Sequence, residues 1–284
     1  MSDVELRECE HALAESPDDL GLLQQHARLL RRHGQPERAL ASLDLAWRLG
    51  AEELRDELVA ELERRSFEFL GLRFRYVPAG PFVMGLDDFD HDVAPAHRVR
   101  LSPYYVSETP VLWATLKTSP LLPEYWRQLL ARDPDNDFGR RPFPVNDRSR
   151  AEVALAYLVD QTRAAKLPPG TLELPSEAQW ERAFRASLLA ADATSIYGVE
   201  RSPTVEWVAD AYRSDAYASS SEFDPRGPKP GKQFVIRGVP AMDDALFPLY
   251  RDAADENGNF HVGRGGRAVR HEEGISFRLV LNPA

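Results

Sequence analysis

The 284-residue chain carries a single cysteine, Cys9. An intrachain disulfide is therefore impossible, and so is a cysteine-rich zinc site. Long apolar runs are missing too, since none approaches the roughly 20 residues that span a bilayer. Positive charge is in deficit: Lys and Arg number 35 against 45 Asp and Glu, a net charge of −10. That balance argues against general attraction to nucleic acid or to an anionic membrane. The first residues, Met-Ser-Asp-Val-Glu-Leu-Arg, lack the charged-then-apolar pattern of a leader, so a cytoplasmic protein is expected.

Residues 1–66 are rich in Leu, Ala, Glu and Arg, with proline only at 17 and 36, and are expected to be helical. Leu23, Ala27, Leu30, Gly34, Ala39, Leu43 and Ala46 fall at a spacing that suits two helices broken at Gly34. The pattern resembles one tetratricopeptide repeat; a plain helical hairpin is the alternative. No second copy follows, and a lone repeat cannot bury its own face. Three or four helices packed together are expected, holding a protein partner rather than doing chemistry.

From Phe67 onward the composition changes to aromatics, prolines and short alternating runs. Phe74–Val77 and Phe82–Gly85 read as strands joined by Pro78-Ala79-Gly80-Pro81, a hairpin. Further strands are expected around His97–Leu101, Tyr104–Val111, Leu172–Leu174, Thr204–Tyr212, Phe234–Gly238 and Gly274–Val280. Helices are expected over Glu124–Ala131 and Asp147–Ala165, the second with Val153, Ala154, Tyr157 and Leu158 on one side. In Leu172–Ala186, a strand runs into Pro175 and Ser176 stands as N-cap with Gln179 three residues on, a capping box. Trp180, Ala183 and Phe184 then share one apolar helical face.

The order strand, Pro-Ser-Glu-Ala-Gln-Trp-Glu, helix resembles the Leu-Pro-Thr-Glu-Ala-Glu-Trp-Glu signature of the formylglycine-generating (sulfatase-modifying) enzyme family. Other motifs of that family recur here in order: Phe82-Val83-Met84-Gly85, Pro95-Ala96-His97, Val205-Glu206-Trp207 with Asp210 and Tyr212, Val235-Ile236-Arg237-Gly238, and Ser276-Phe277-Arg278-Leu279. The resemblance implies an α+β, C-type lectin-like domain over residues 70–284, after the helical module of 1–66.

Family members oxidise a substrate cysteine with two active-site thiols and copper. Their places fall near Val262 and Arg267, and no thiol lies anywhere in this domain. Copper(I) needs soft sulfur ligands, so formylglycine-generating activity is excluded. An iron-using branch draws on helix-borne histidines, but His26 and His33 stand two turns apart, about 10 Å, too far to share one metal. The resemblance leaves open a structural calcium, with Glu206 as a ligand, although Pro203 replaces the expected Asn. His97 is expected to be structural. Asp255-Glu256-Asn257-Gly258-Asn259 is expected to be a surface turn.

Arg237 and Arg278 are expected to pair with core carboxylates, because a buried charge must be matched. Arg264, Arg267 and Arg270 concentrate positive charge on a Gly-rich loop, and guanidinium forks bind carboxylates or phosphates. If the loops converge as in the family, Asp243, Asp244, Tyr250, Arg251 and His261 line the same face. The favoured expectation is a recognition or scaffold protein, a pseudoenzyme that binds a protein or small ligand there. The rival is a metal-dependent oxidoreductase of different chemistry on the same scaffold, and a purely structural subunit is a third.

Overall fold

The computed structural model describes residues 2–87, 91–133, 137–185, 195–228, 231–238, 251–259 and 274–284. Helices α1 (Ser2–Glu15), α2 (Leu20–Arg32), α3 (Pro36–Arg48) and α4 (Arg55–Arg65) come first. Asp19 caps α2 through a 2.8 Å bond from the Leu22 N–H. Pro36 opens α3, where its missing N–H costs nothing. Gly34, at φ +67, makes the turn between them, a backbone region that favours glycine. The spacing read from the sequence is the buried seam: Leu23, Ala27, Leu30, Ala39, Leu43 and Ala46 are all at most 4% exposed.

Strands β1 (Phe67–Phe69), β2 (Leu72–Val77), β5 (Tyr104–Ser107), β11 (Val280–Pro283) and β6 (Gly170–Glu173) form one sheet in the order β1-β2-β5-β11-β6. The chain's last strand thus lies between early ones. A second sheet has the order β10-β7-β8-β9, from Ile275–Phe277, Val205–Ala211, Gln233–Arg237 and Arg251–Asp255. Its β10–β7 pair is parallel and the others antiparallel. Strands β3 (Gly80–Met84) and β4 (His97–Leu101) form a two-stranded sheet, and Arg100 of β4 also bridges Phe223.

Two sequence expectations need correction. The strands at 74–77 and 82–85 do not form a hairpin: β2 pairs with β1 and β5, while β3 pairs with β4. The intervening corner is pinned elsewhere, because the carbonyls of Pro78 and Gly80 accept from Arg182 and that of Pro81 from Arg48. Helix α6 (Arg148–Thr162) buries Ala151, Ala154 and Leu158, while Val153 is 52% exposed. Ala154 and Leu158 are thus on the expected face with Tyr157 half-buried beside them, and Val153 alone of the expected four turns to solvent.

The helices and the sheets share a core. Leu40 and Trp47 of α3 and Leu58 and Leu62 of α4 belong to one apolar cluster with Tyr76, Val77, Tyr104, Trp180 and Phe184. A second cluster gathers Phe74, Leu158, Leu172, Trp207, Phe277 and Leu281 between the sheets and α6.

Candidate functional site

Helix α7 (Glu177–Arg185) is the pivot of the interior. Its capping box is complete: Ser176 Oγ accepts from the Gln179 N–H at 3.2 Å, and Gln179 Oε1 accepts from the Ser176 N–H at 2.9 Å. The sequence gives this helix one apolar face, yet every residue from Glu177 to Phe184 is buried. A helix this polar can be sunk only if each charge finds a partner.

Two buried pairings supply those partners, and a third takes the Trp180 indole. Arg182 donates to Asp44 of α3 at 2.9 Å, and Asp44 also accepts from Tyr197 Oη at 2.7 Å and Arg48 Nε at 3.0 Å. Arg237 of β8 forks across α7, to Glu177 and to Glu181, each at 2.8 Å. Arg278 holds Glu206 of β7 through two 2.6 Å bonds, and the Trp180 indole donates to the same carboxylate at 2.8 Å. Arg237 and Arg278 therefore stand as the sequence suggests, matched to core carboxylates. The motifs that carry the family resemblance meet here, inside the protein.

Glu177 is crowded further. Its Oε1 also accepts from Arg251 Nε at 2.7 Å and Tyr217 Oη at 3.1 Å. Burial alone would raise this carboxyl, but Arg251 and Arg237 overcome it and hold it below the usual carboxylate range. Asp210, at the end of β7, is treated differently. It is 3% exposed; burial first, and the charge of Glu177 second, push its carboxyl up to about 7. Its Oδ2 accepts from the Glu177 N–H at 2.8 Å.

Above Asp210 lies a cavity of about 230 Å³ between the start of α7 and the loop 213–228. Asp210, Glu177 and Tyr217 form its polar floor, with Ser219, Ser220 and Ser221 along the loop side. In the sequence Asp210 stands out only as part of the family motif, and no motif marks the cavity. A Ser-, Gly- and Pro-rich loop following a strand that ends in a buried Asp is the signal that could have found them.

Of the expected ligand-binding residues, Asp243, Asp244, Tyr250, His261, Arg264, Arg267 and Arg270 lie outside the described residues. Arg251 is placed, and its expected position is corrected. Its side chain has no exposed surface, and its guanidinium bonds Glu177 and the carbonyls of Asp92 and Arg213. Opening a strand rather than sitting on a loop, it is drawn inward by the Glu177 charge. His97 does have a structural setting, its Nδ1 2.9 Å from the Pro95 carbonyl and its ring edge-on to Tyr217. Residues 255–259 form a turn in which the Asp255 carboxylate accepts from the Asn257 and Asn259 N–H groups.

The metals that the resemblance implies do not fit these residues. Both Glu206 oxygens are already taken by Arg278 and Trp180, so its charge is matched, and Pro203 brings no side-chain oxygen. The expectation of Glu206 as a calcium ligand is corrected on that ground. Copper has no thiolate in the domain, and Cys9 is buried among α1–α3. Among the described residues, no three His, Cys, Asp or Glu side chains gather as a metal site.

Taken with the curled sheets, the order of elements and the placement of α7 define the formylglycine-generating-enzyme-like variant of the C-type lectin-like fold. The structure of PvdO from Pseudomonas aeruginosa is similar to this chain, with a TM-score of 0.53 and 18% identity, over 76% of this chain and 97% of that one. Treponema denticola variable protein 1 is similar with a TM-score of 0.54 and 17% identity, over 77% and 99%. At such identities the likeness is one of fold. No protein-family model matches the chain, and no curated protein matches it in sequence. Among the described residues no helix is long and apolar enough to cross a membrane.

Proposed function

We propose that the chain is a recognition protein, a pseudoenzyme on the formylglycine-generating-enzyme scaffold that binds a small ligand or protein segment through its loops. In this reading α1–α4 hold a protein partner. The observation that carries it is the distribution of charge. Glu177, Glu181, Glu206 and Asp44 are consumed by arginines that hold the core together, while Asp210 stays with its carboxyl toward a loop-walled cavity. A rigid interior carrying its variable chemistry on loops is how binding scaffolds of this kind work. Sulfur chemistry has no residues to run on in this domain.

The test is a thermal-shift screen of small polar molecules. A ligand that binds only the folded state raises Tm by mass action. The expected hit loses its effect when Ala216→Phe fills the cavity that Ala216 lines. Conversion of a cysteine peptide to an aldehyde by the pure protein would overturn the reading.

A further inference from the structure

Asp210 differs from the other buried carboxylates of this interior in what faces it. One oxygen, Oδ2, receives the Glu177 N–H, and no hydrogen bond or ion pair from a described residue reaches Oδ1. Gly227 of the cavity wall packs against that carboxyl: a Cβ there would stand 2.7 Å from Oδ1, and Gly227 has none. The cavity arginines are committed elsewhere, Arg213 to Asp215 and Arg226 to Glu173 at 2.8 Å. Glu177 has Arg237 and Arg251 in contact, whereas among the described residues no arginine contacts Asp210. The remaining walls mix alkyl surface, from Met84, Ala178, Ala216, Pro225 and Pro228, with the three serines of the loop.

We infer that this cavity is a site for a primary ammonium group on a short alkyl chain, with Asp210 Oδ1 as the anion that receives it. This deepens the recognition reading and rests on it. The volume, about 230 Å³, falls below the roughly 300–1,000 Å³ of drug-sized pockets and suits one such chain. An ammonium supplies the donors that Oδ1 lacks and the charge that matches the ionised Asp210 carboxylate, while its methylenes meet the alkyl part of the wall. Without the ligand, burial and Glu177 leave Asp210 about half protonated at neutrality and largely protonated by pH 6. Binding therefore expels a proton. The other charges that act on Asp210 are Arg251 of β9, Arg226 of the loop and Arg148 of α6, all cationic. Asp215 and Glu173 pair with the wall arginines, and His97 stands edge-on to Tyr217, so the pH series is read in an H97N background.

Calorimetry of the full chain with 1,4-diaminobutane and with a blocked lysine peptide tests the inference and separates a free amine from a protein side chain. Propanamide and propionate serve as neutral and anionic controls. One of the two amines is expected to bind, weakening about thirty-fold from pH 8 to pH 5.5 as Asp210 takes up its proton. Buffers of different ionisation heat should report about one proton released per ligand at pH 6 and close to none at pH 8. Asp210→Asn, which keeps the acceptor for Glu177, should lose amine binding while retaining the wild-type fold by circular dichroism. Amine binding unchanged in D210N, or no binding by either amine at millimolar concentration, overturns the inference. Propionate or propanamide binding that needs Asp210, with the amines silent, overturns the ammonium and leaves the recognition reading standing. Chemical consumption of the amine would sink the recognition reading instead.

Discussion

Asp44 on α3 accepts a 2.9 Å hydrogen bond from Arg182 on α7, two side chains 138 residues apart in sequence and at most 1% exposed. The pair sits where the helices meet the lectin-like sheets, and Arg48 and Tyr197 complete it. The N-terminal helices are thereby wired into the interior of the domain that follows.

Replacing Asp44 by Ala strands Arg182, Arg48 and Tyr197 without their common acceptor. Removing one member of a buried ion pair costs about 3–5 kcal/mol. Urea unfolding should show a loss of that order for D44A and a smaller one for D44N, which keeps an acceptor oxygen. Equal stability of D44A and wild type would mean the contact contributes nothing.

Glu177 is held below its ordinary 4.5 in the folded protein. Its contribution is therefore complete above about pH 4.5 and is lost as pH falls toward the folded value. E177Q should be less stable than wild type at pH 7, with the gap closing in acid. Denaturation curves at pH 3.5 and pH 7 give the comparison.

Asp210 has the opposite sign. Its folded carboxyl holds its proton to about 7, against 3.8 ordinarily. The unfolded chain gives up that proton more readily, so stability falls as pH rises between those values. Relative to D210N, wild-type stability should decline by roughly 3 kcal/mol from pH 5 to pH 8. A flat difference across that range would show that the carboxyl is not perturbed.

Ser176→Ala removes the oxygen that caps α7. Loss of such a cap costs about 1 kcal/mol. A lowered Tm is expected, and S176T, which restores a hydroxyl, should recover most of it.

Much of this architecture was legible in the sequence, because periodicity and capping are local. The Ser176–Gln179 box, the Gly34 turn and the strands at 97–101 and 104–107 each need only a few neighbouring residues to read. Partner choice is not local. Arg237 and Glu177 are 60 residues apart, Arg278 and Glu206 are 72, and nothing in either neighbourhood names the other. The supposed hairpin failed for the same reason, since distant Arg182 and Arg48 claim the carbonyls of the corner. Arg251 was misread because an arginine at a strand start looks like a loop charge until its carboxylate is found. Asp210 stands in the sequence only as a motif residue without a role, because its setting is defined by what surrounds it in space.

The apolar cluster that Leu40, Trp47, Leu58 and Leu62 share with Trp180 and Phe184 joins the N-terminal helices to the rest through one core. Cargo gripped by those helices would be presented at one bearing and one distance from the mouth above Asp210, as if mounted on a bracket.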